Sequence, residues 1–165
     1  MSQVPSEKML ARSIGVAIVV LNLLLLGSAL MYGSELPFQT LNKGNDAEMI
    51  VETDMLILIN SSEELDEFYM QLGAGVSAPD INMDENTVLA VVAAPRPNTG
   101  YNVEITNLVE NDELTVDAFI AETVPGDDCI TMNVETTPYH LVMTPRKIDS
   151  DMNRIVWSPA VSVCK

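Results

Sequence analysis

One histidine, one tryptophan and two cysteines are all that this chain of 165 residues has of the side chains that most often carry chemistry. Bases are scarce as well: eight Lys and Arg stand against 24 Asp and Glu, a formal net charge of −16. Phosphate binding needs clustered Lys and Arg, so the balance argues against nucleic acid. It argues equally against lying flat on anionic lipid. Zinc lacks a Cys and His set. The lone histidine, His140, follows Pro138-Tyr139 in an alternating stretch. Its side chain is expected to face opposite to Tyr139 and to be surface or core filler rather than a general base. No Ser stands in a Gly-x-Ser-x-Gly context, and neither cysteine has a histidine near it in sequence. The chain reads as not an enzyme, with no cofactor and no metal.

Residues 13–34 hold no charged side chain at all. As a helix rising about 1.5 Å per residue, such a stretch spans about 33 Å, enough to cross a hydrocarbon core of about 30 Å. Lys8 and Arg12 precede it against one acid, Glu7. The rest of the chain carries 23 acids and six bases (24 less Glu7, eight less Lys8 and Arg12). The positive-inside tendency keeps residues 1–12 in the cytoplasm and sends the remainder across. The run is longer than the apolar core of about 7–15 residues in a cleaved signal peptide, which favours an uncleaved signal anchor, with cleavage as the alternative. Gly27-Ser28-Ala29, the one small-residue cleavage candidate, lies inside the apolar run. No cysteine near the end of the segment offers a lipid attachment point.

Beyond residue 34 there is length for one domain with a real core. In an oxidising compartment Cys129 and Cys164 can pair. The link would close a loop of about 35 residues, worth about 3–4 kcal/mol in the chain-entropy model. Two separate buried thiols are the alternative. Asp80, Asn82 and Asp84, and likewise Asp149, Asp151 and Asn153, have the 1, 3, 5 spacing of a calcium loop. Both lack the position-6 Gly and the position-12 Glu, and both read as turns. Ten methionines are spread along the chain and read as core filler rather than copper ligands.

Punctuation by Gly, Asn and Pro makes 35–48 a stalk or first loop. Residues 49–59 read as a strand. Ser61 with Glu64 fits a capping box, Gly73 supplies a stop, and Leu65, Phe68, Tyr69 and Leu72 share one helical face. The apolar run TVLAVVAA at 87–94 predicts a buried central strand. Alternation over 101–109 and 114–121 predicts a hairpin, with Tyr101, Val103 and Ile105 on one face. Further strands are expected over 129–134, 139–143 and 155–163. Trp157 falls in the last of these, in an edge-strand context beside Pro159. One short helix with closely spaced antiparallel strands suggests a sandwich or an open barrel over 49–165.

The segments INSSEELDEFYMQL, NMDENTVLAVVAAPRPNTGYNVEITNLVENDELTVDA, VPG and TTPYHLVM stand in this order. Together they resemble the C-terminal domain of the protease complex subunit PrcB, over about residues 60–143. The turn Asn98-Thr99-Gly100-Tyr101 corresponds to a Thr-Gly-Gly-Tyr-like turn, with one Gly where that pattern has two. Thr136-Thr137-Pro138-Tyr139 corresponds to its Thr-x-Pro-Tyr segment. The resemblance implies a non-catalytic accessory domain, secreted or membrane-attached, that assembles with or stabilises an exported, protease-like protein complex. Asn98-Thr99-Gly100-Tyr101 is also similar to a loop of chagasin-type inhibitors of cysteine proteases, whose two further loops, one Gly-rich and one with Arg-Pro-Trp, are not evident here. A structural accessory subunit of a membrane complex fits as well.

The chain is thus expected to be a single-pass, N-in membrane protein with its β domain in the periplasm or outside the cell. Pro97 and Gly100 make the loop stiff. Arg96, Pro97, Asn98, Thr99, Gly100 and Tyr101 are the first candidate partner-contact residues, and Tyr139 and His140 the second. The alternative for the loop is that it only joins two strands, with Tyr101 packed beneath it.

Overall fold

The computed structural model describes residues 33–73, 75–111, 115–148 and 153–162. Apart from Gly33 and Ser34, the apolar segment 13–34 lies outside them, as do Asp149, Asp151 and Cys164. Among the described residues no helix is long and apolar enough to cross a membrane. The chain divides after Gly33 into two units, and every described strand belongs to the second, Ser34–Lys165.

That unit is a mainly antiparallel β structure with one short helix. The strands are β1 (Ser34–Glu35), β2 (Gln39–Gly44), β3 (Met55–Ile59), β4 (Thr87–Val92), β5 (Asn102–Glu110), β6 (Val116–Pro125), β7 (Tyr139–Thr144) and β8 (Asn153–Ser162). The helix α1 (Ser62–Leu72) lies between β3 and β4. One sheet has the order β1-β5-β6-β8 and the other β2-β7-β4-β3. The two stack face to face, and α1 covers the outer face of the second, so the arrangement is a sandwich with a helical layer added.

The central strand β4 explains the layering. All six of its residues are buried. Val88, Ala90 and Val92 pack with Leu65, Phe68, Tyr69 and Leu72 of α1. Leu89 and Val91 pack with Val103, Ile105, Leu108 and Ile120 of the other sheet. A strand apolar on both faces reads as a continuous run, whereas β5, with one face in water, alternates. Burying each large aliphatic or aromatic side chain is worth about 1.5–3 kcal/mol.

The helix start matches the expected cap with one shift. Ser61 Oγ accepts from the Glu64 N–H at 3.2 Å. Glu64 Oε2 reaches past the cap residue to accept from the Asn60 N–H at 2.8 Å. Gly73 ends the helix at φ +85°, a conformation that disfavours any residue with a Cβ.

Three regions depart from expectation. Residues 35–48 are not a stalk: β2 pairs with β7 across them, and Ser34 opens β1 opposite Glu110. Residues 49–54 are loop, and the strand begins only at Met55, because Asp54 turns its carboxylate toward Ala94 and Arg96. Residues 129–134 form no strand. Cys129 N–H closes a turn onto the Gly126 carbonyl at 3.0 Å, and Val134 N–H bonds the Met132 carbonyl at 2.9 Å, two tight bends that no ladder accommodates. The last strand, β8, joins β6 in parallel, not antiparallel, with Trp157 opposite Ile120. It is an edge strand, where Pro159 is tolerated. The methionines are only partly core filler: Met83 is buried, whereas Met70 and Met132 are largely exposed.

Candidate functional site

The loop from Pro95 to Tyr101 leaves the end of β4 and enters β5. Its anchor is Arg96, whose side chain is only 16% exposed. The guanidinium meets Asp54 through Nη2, 3.0 Å from each carboxylate oxygen, and Glu122 of β6 through Nε at 2.7 Å. Asp54 belongs to the entry of β3 and Glu122 to the opposite sheet, so one side chain ties the two sheets together. Burial pulls its pKa down, but the hydrogen bonds and charges of the two carboxylates more than offset that, and the net shift is upward. Arg96 therefore stays charged and engaged inside the fold.

The loop does not project. Arg96 and Thr136 exchange both backbone hydrogen bonds, at 2.7 and 2.9 Å. Thr99 N–H donates to the Met132 carbonyl, and Met132 N–H donates to Thr99 Oγ1. Thr136 Oγ1 donates to the Asn98 carbonyl at 3.0 Å, while Asn98 Oδ1 accepts from the Gly100 N–H at 2.9 Å. Residues 129–136 thus lie over the loop as a cover. Gly100 is required by close approach rather than by positive φ: a Cβ there would stand 2.6 Å from Pro125 Cβ and 2.7 Å from Thr131 Cγ2. Gly100→Ala is expected to cost about 1–3 kcal/mol, as overpacking does, read as a lower urea midpoint at unchanged slope. An unshifted midpoint would mean that the cover yields freely.

The second pair of expected contact residues is internal. Tyr139 is 7% exposed and His140 1% exposed, so neither offers a surface to a partner in this fold. Tyr139 lies over Gly44, where a Cβ would be 2.7 Å from its hydroxyl oxygen. Burial, with Asp46 and Tyr69 adding, pushes its hydroxyl above the ordinary value. His140 accepts at Nδ1 from the Ile105 N–H at 2.9 Å, which assigns the proton to Nε2, 2.9 Å from Thr40 Oγ1. Ile105 lies at the irregularity in the β5–β6 register, where its N–H faces the other sheet. The histidine satisfies that amide, so its role is structural.

This environment carries a pH prediction. Burial holds the His140 pKa below its ordinary value, Lys43 adds to the effect, and Glu104 opposes it. The folded state therefore takes up a proton less readily than the unfolded chain. The stability from neutral His140 is fully present above about pH 6.5 and is lost as pH falls through the lower folded-state value. Denaturant titrations across that window should show wild type losing stability and His140→Gln not doing so. Parallel profiles would contradict the assignment.

The surface that remains is apolar and was not legible as such in the sequence. Ile130, Met132 and Val134 on the cover are 102%, 66% and 57% exposed. Ile50 is 92% exposed and shares a hollow of about 560 Å³ with Pro95 and Val134. Alternation over 129–134 was the available signal, but it suggests a half-buried strand, whereas here the apolar members face water. Soluble domains seldom leave several large apolar side chains together in solvent unless another surface covers them.

Cys129 is disulfide-bonded, and its Sγ accepts from the Gly126 N–H at 3.1 Å. Cys164 lies outside the described residues. Asn82 caps its own turn, with Oδ1 accepting from the Asp84 N–H at 3.2 Å, so the first calcium-like spacing is a turn. Among the described residues no group of three or more His, Cys, Asp and Glu is placed to hold a metal ion.

Residues 87–145 match the family described as PrcB C-terminal. The matched stretch begins at the first residue of β4 and ends one residue past β7. It thus encloses the braced loop, the β5–β6 hairpin and the apolar cover, and leaves α1 outside. No curated protein and no solved structure gives a significant match.

Proposed function

We propose that this chain, whose residues 87–145 match the PrcB C-terminal family, is a non-catalytic accessory module that docks onto an exported protein complex of the protease type. The apolar ridge of Ile130, Met132 and Val134 is its contact surface, and the observation that carries the reading is their exposure on a cover otherwise fixed by hydrogen bonds. A surface already ordered before binding loses little entropy on contact.

The charge-free stretch at 13–34, preceded by Lys8 and Arg12, supports tethering by one N-in membrane helix, with the acidic domain in the periplasm or outside the cell. Exported cysteines support pairing of Cys129 with Cys164. The register pairs Pro125, four residues before Cys129 in sequence, with Ser162, two residues before Cys164, which supports the same pairing.

The test is crosslinking of the full-length protein in its native membranes, then affinity recovery and mass spectrometry. The reading expects a stoichiometric exported or membrane-bound protein complex. Recovery of the protein alone would count against it.

A further inference from the structure

Four strands end the two sheets, and three carry a device against pairing with a further strand. β1 has only two residues. β2 includes Lys43 and a register shift between Thr40 and Asn42. β8 contains Pro159. β3 has none: it reads Met-Leu-Ile-Leu-Ile, pairs with β4 over five consecutive residues without irregularity, and among the described residues bonds to no strand on its other side. Alternate residues of such an edge turn N–H and C=O groups outward, a template for an added strand.

Beside this edge runs a groove of about 440 Å³ between β3 and α1. Val51, Ile57 and Phe68 line it with apolar surface, and Ile50 and Met55 stand exposed at its mouth. Glu64 and Glu67 of α1 are the charged residues of its wall, and no Lys or Arg lines it. We infer that the free edge of β3 and the groove between it and α1 form a docking site for an extended, lysine- or arginine-bearing segment of a partner protein, which adds as a fifth strand to the β2-β7-β4-β3 sheet. Main-chain hydrogen bonds would supply affinity, and on the groove-facing side of the added strand the basic side chains would lay their aliphatic stems along the apolar wall and set their charged heads at the glutamates. The site borders the hollow beside Val134 at Met49 and Ile50, which line both, but it uses the edge of β3 and the wall of α1 and stands whether or not the ridge docks a complex.

The probe is a short peptide alternating lysine and valine, titrated into the full-length protein in detergent and followed by hydrogen exchange. Binding should slow exchange of the outward amides of β3 by about tenfold or more at saturation. A peptide alternating glutamate and valine should not bind. The lysine peptide N-methylated at alternate residues keeps its charge but loses its donors and should fail as well. Glu67→Lys, an exposed substitution, should weaken the lysine peptide about two- to fivefold. Equal binding of the methylated and unmethylated peptides would overturn the proposal, because charge alone would then explain association. Protection confined to residues other than 55–59 would overturn it too, as would a dimer already protecting β3 before peptide is added, which would assign the edge to a second copy of the chain.

Discussion

Replacing Arg96 with alanine is expected to lower the unfolding free energy by about 2–4 kcal/mol. The substitution leaves Asp54 and Glu122 facing each other's neighbourhood without their shared cation, at sites where their side chains are 30% and 17% exposed. Fully buried pairs broken on one side lose about 3–5 kcal/mol, and residual water contact at Asp54 places the value somewhat lower. The loss is a large fraction of the 5–15 kcal/mol typical of a domain. It should be non-additive with Asp54→Asn, since the two share one interaction. Urea unfolding of the single and double variants checks both statements. A midpoint within error of wild type would show that the guanidinium is a surface ion pair and does not join the sheets.

The second large effect concerns binding. Met132→Asp combined with Val134→Asp should reduce partner affinity by about 100-fold or more. Apolar side chains at the centre of an interface commonly contribute about 2 kcal/mol or more each, and a desolvated carboxylate adds a penalty. Both residues face solvent in the free domain, so the unfolding free energy should stay within about 0.5 kcal/mol of wild type. The two readouts separate a contact role from a folding role. Loss of partner together with loss of fold would place these side chains inside the domain, not on its surface. The opposite pattern is expected for Arg96→Ala, where any weakening of binding should come from loosening of the loop and its cover.

Much of the frame was legible because it rests on local rules. The capping Ser61, the apolar face of α1 and the stop at Gly73 each arise from short-range geometry, and TVLAVV, an apolar run of strand length, reads as the buried central strand that it is. The β5–β6 hairpin was visible in the alternation, although its bulge at Thr106 was not. The features that escaped depend on distant contacts. Residues 39–44 carry few apolar side chains, and only β7 makes them a strand. The tight bends at Cys129 and Val134 break an alternation that otherwise reads as a strand.

The expected contact residues have partners within the fold that the sequence did not reveal. Arg96, Pro97, Asn98, Thr99, Gly100 and Tyr101 were expected to meet a partner. Arg96 is spent on Asp54 and Glu122, and Asn98, Thr99 and Gly100 are held by the cover. His140 could not be placed from sequence, because its partner is a backbone amide 35 residues away in another sheet. The ridge was hidden for the same reason that it matters: sequence periodicity records which residues are apolar, not whether the fold leaves them uncovered.

The most direct test replaces Met132 with a photo-crosslinking amino acid in the full-length protein, irradiated in native membranes, with the exposed turn residue Asp84 replaced in parallel. The account predicts a discrete adduct from position 132 that contains an exported or membrane-complex protein, and none from position 84. No adduct at 132, or the same adducts from both positions, would contradict the assignment of the Ile130–Val134 ridge as the docking surface.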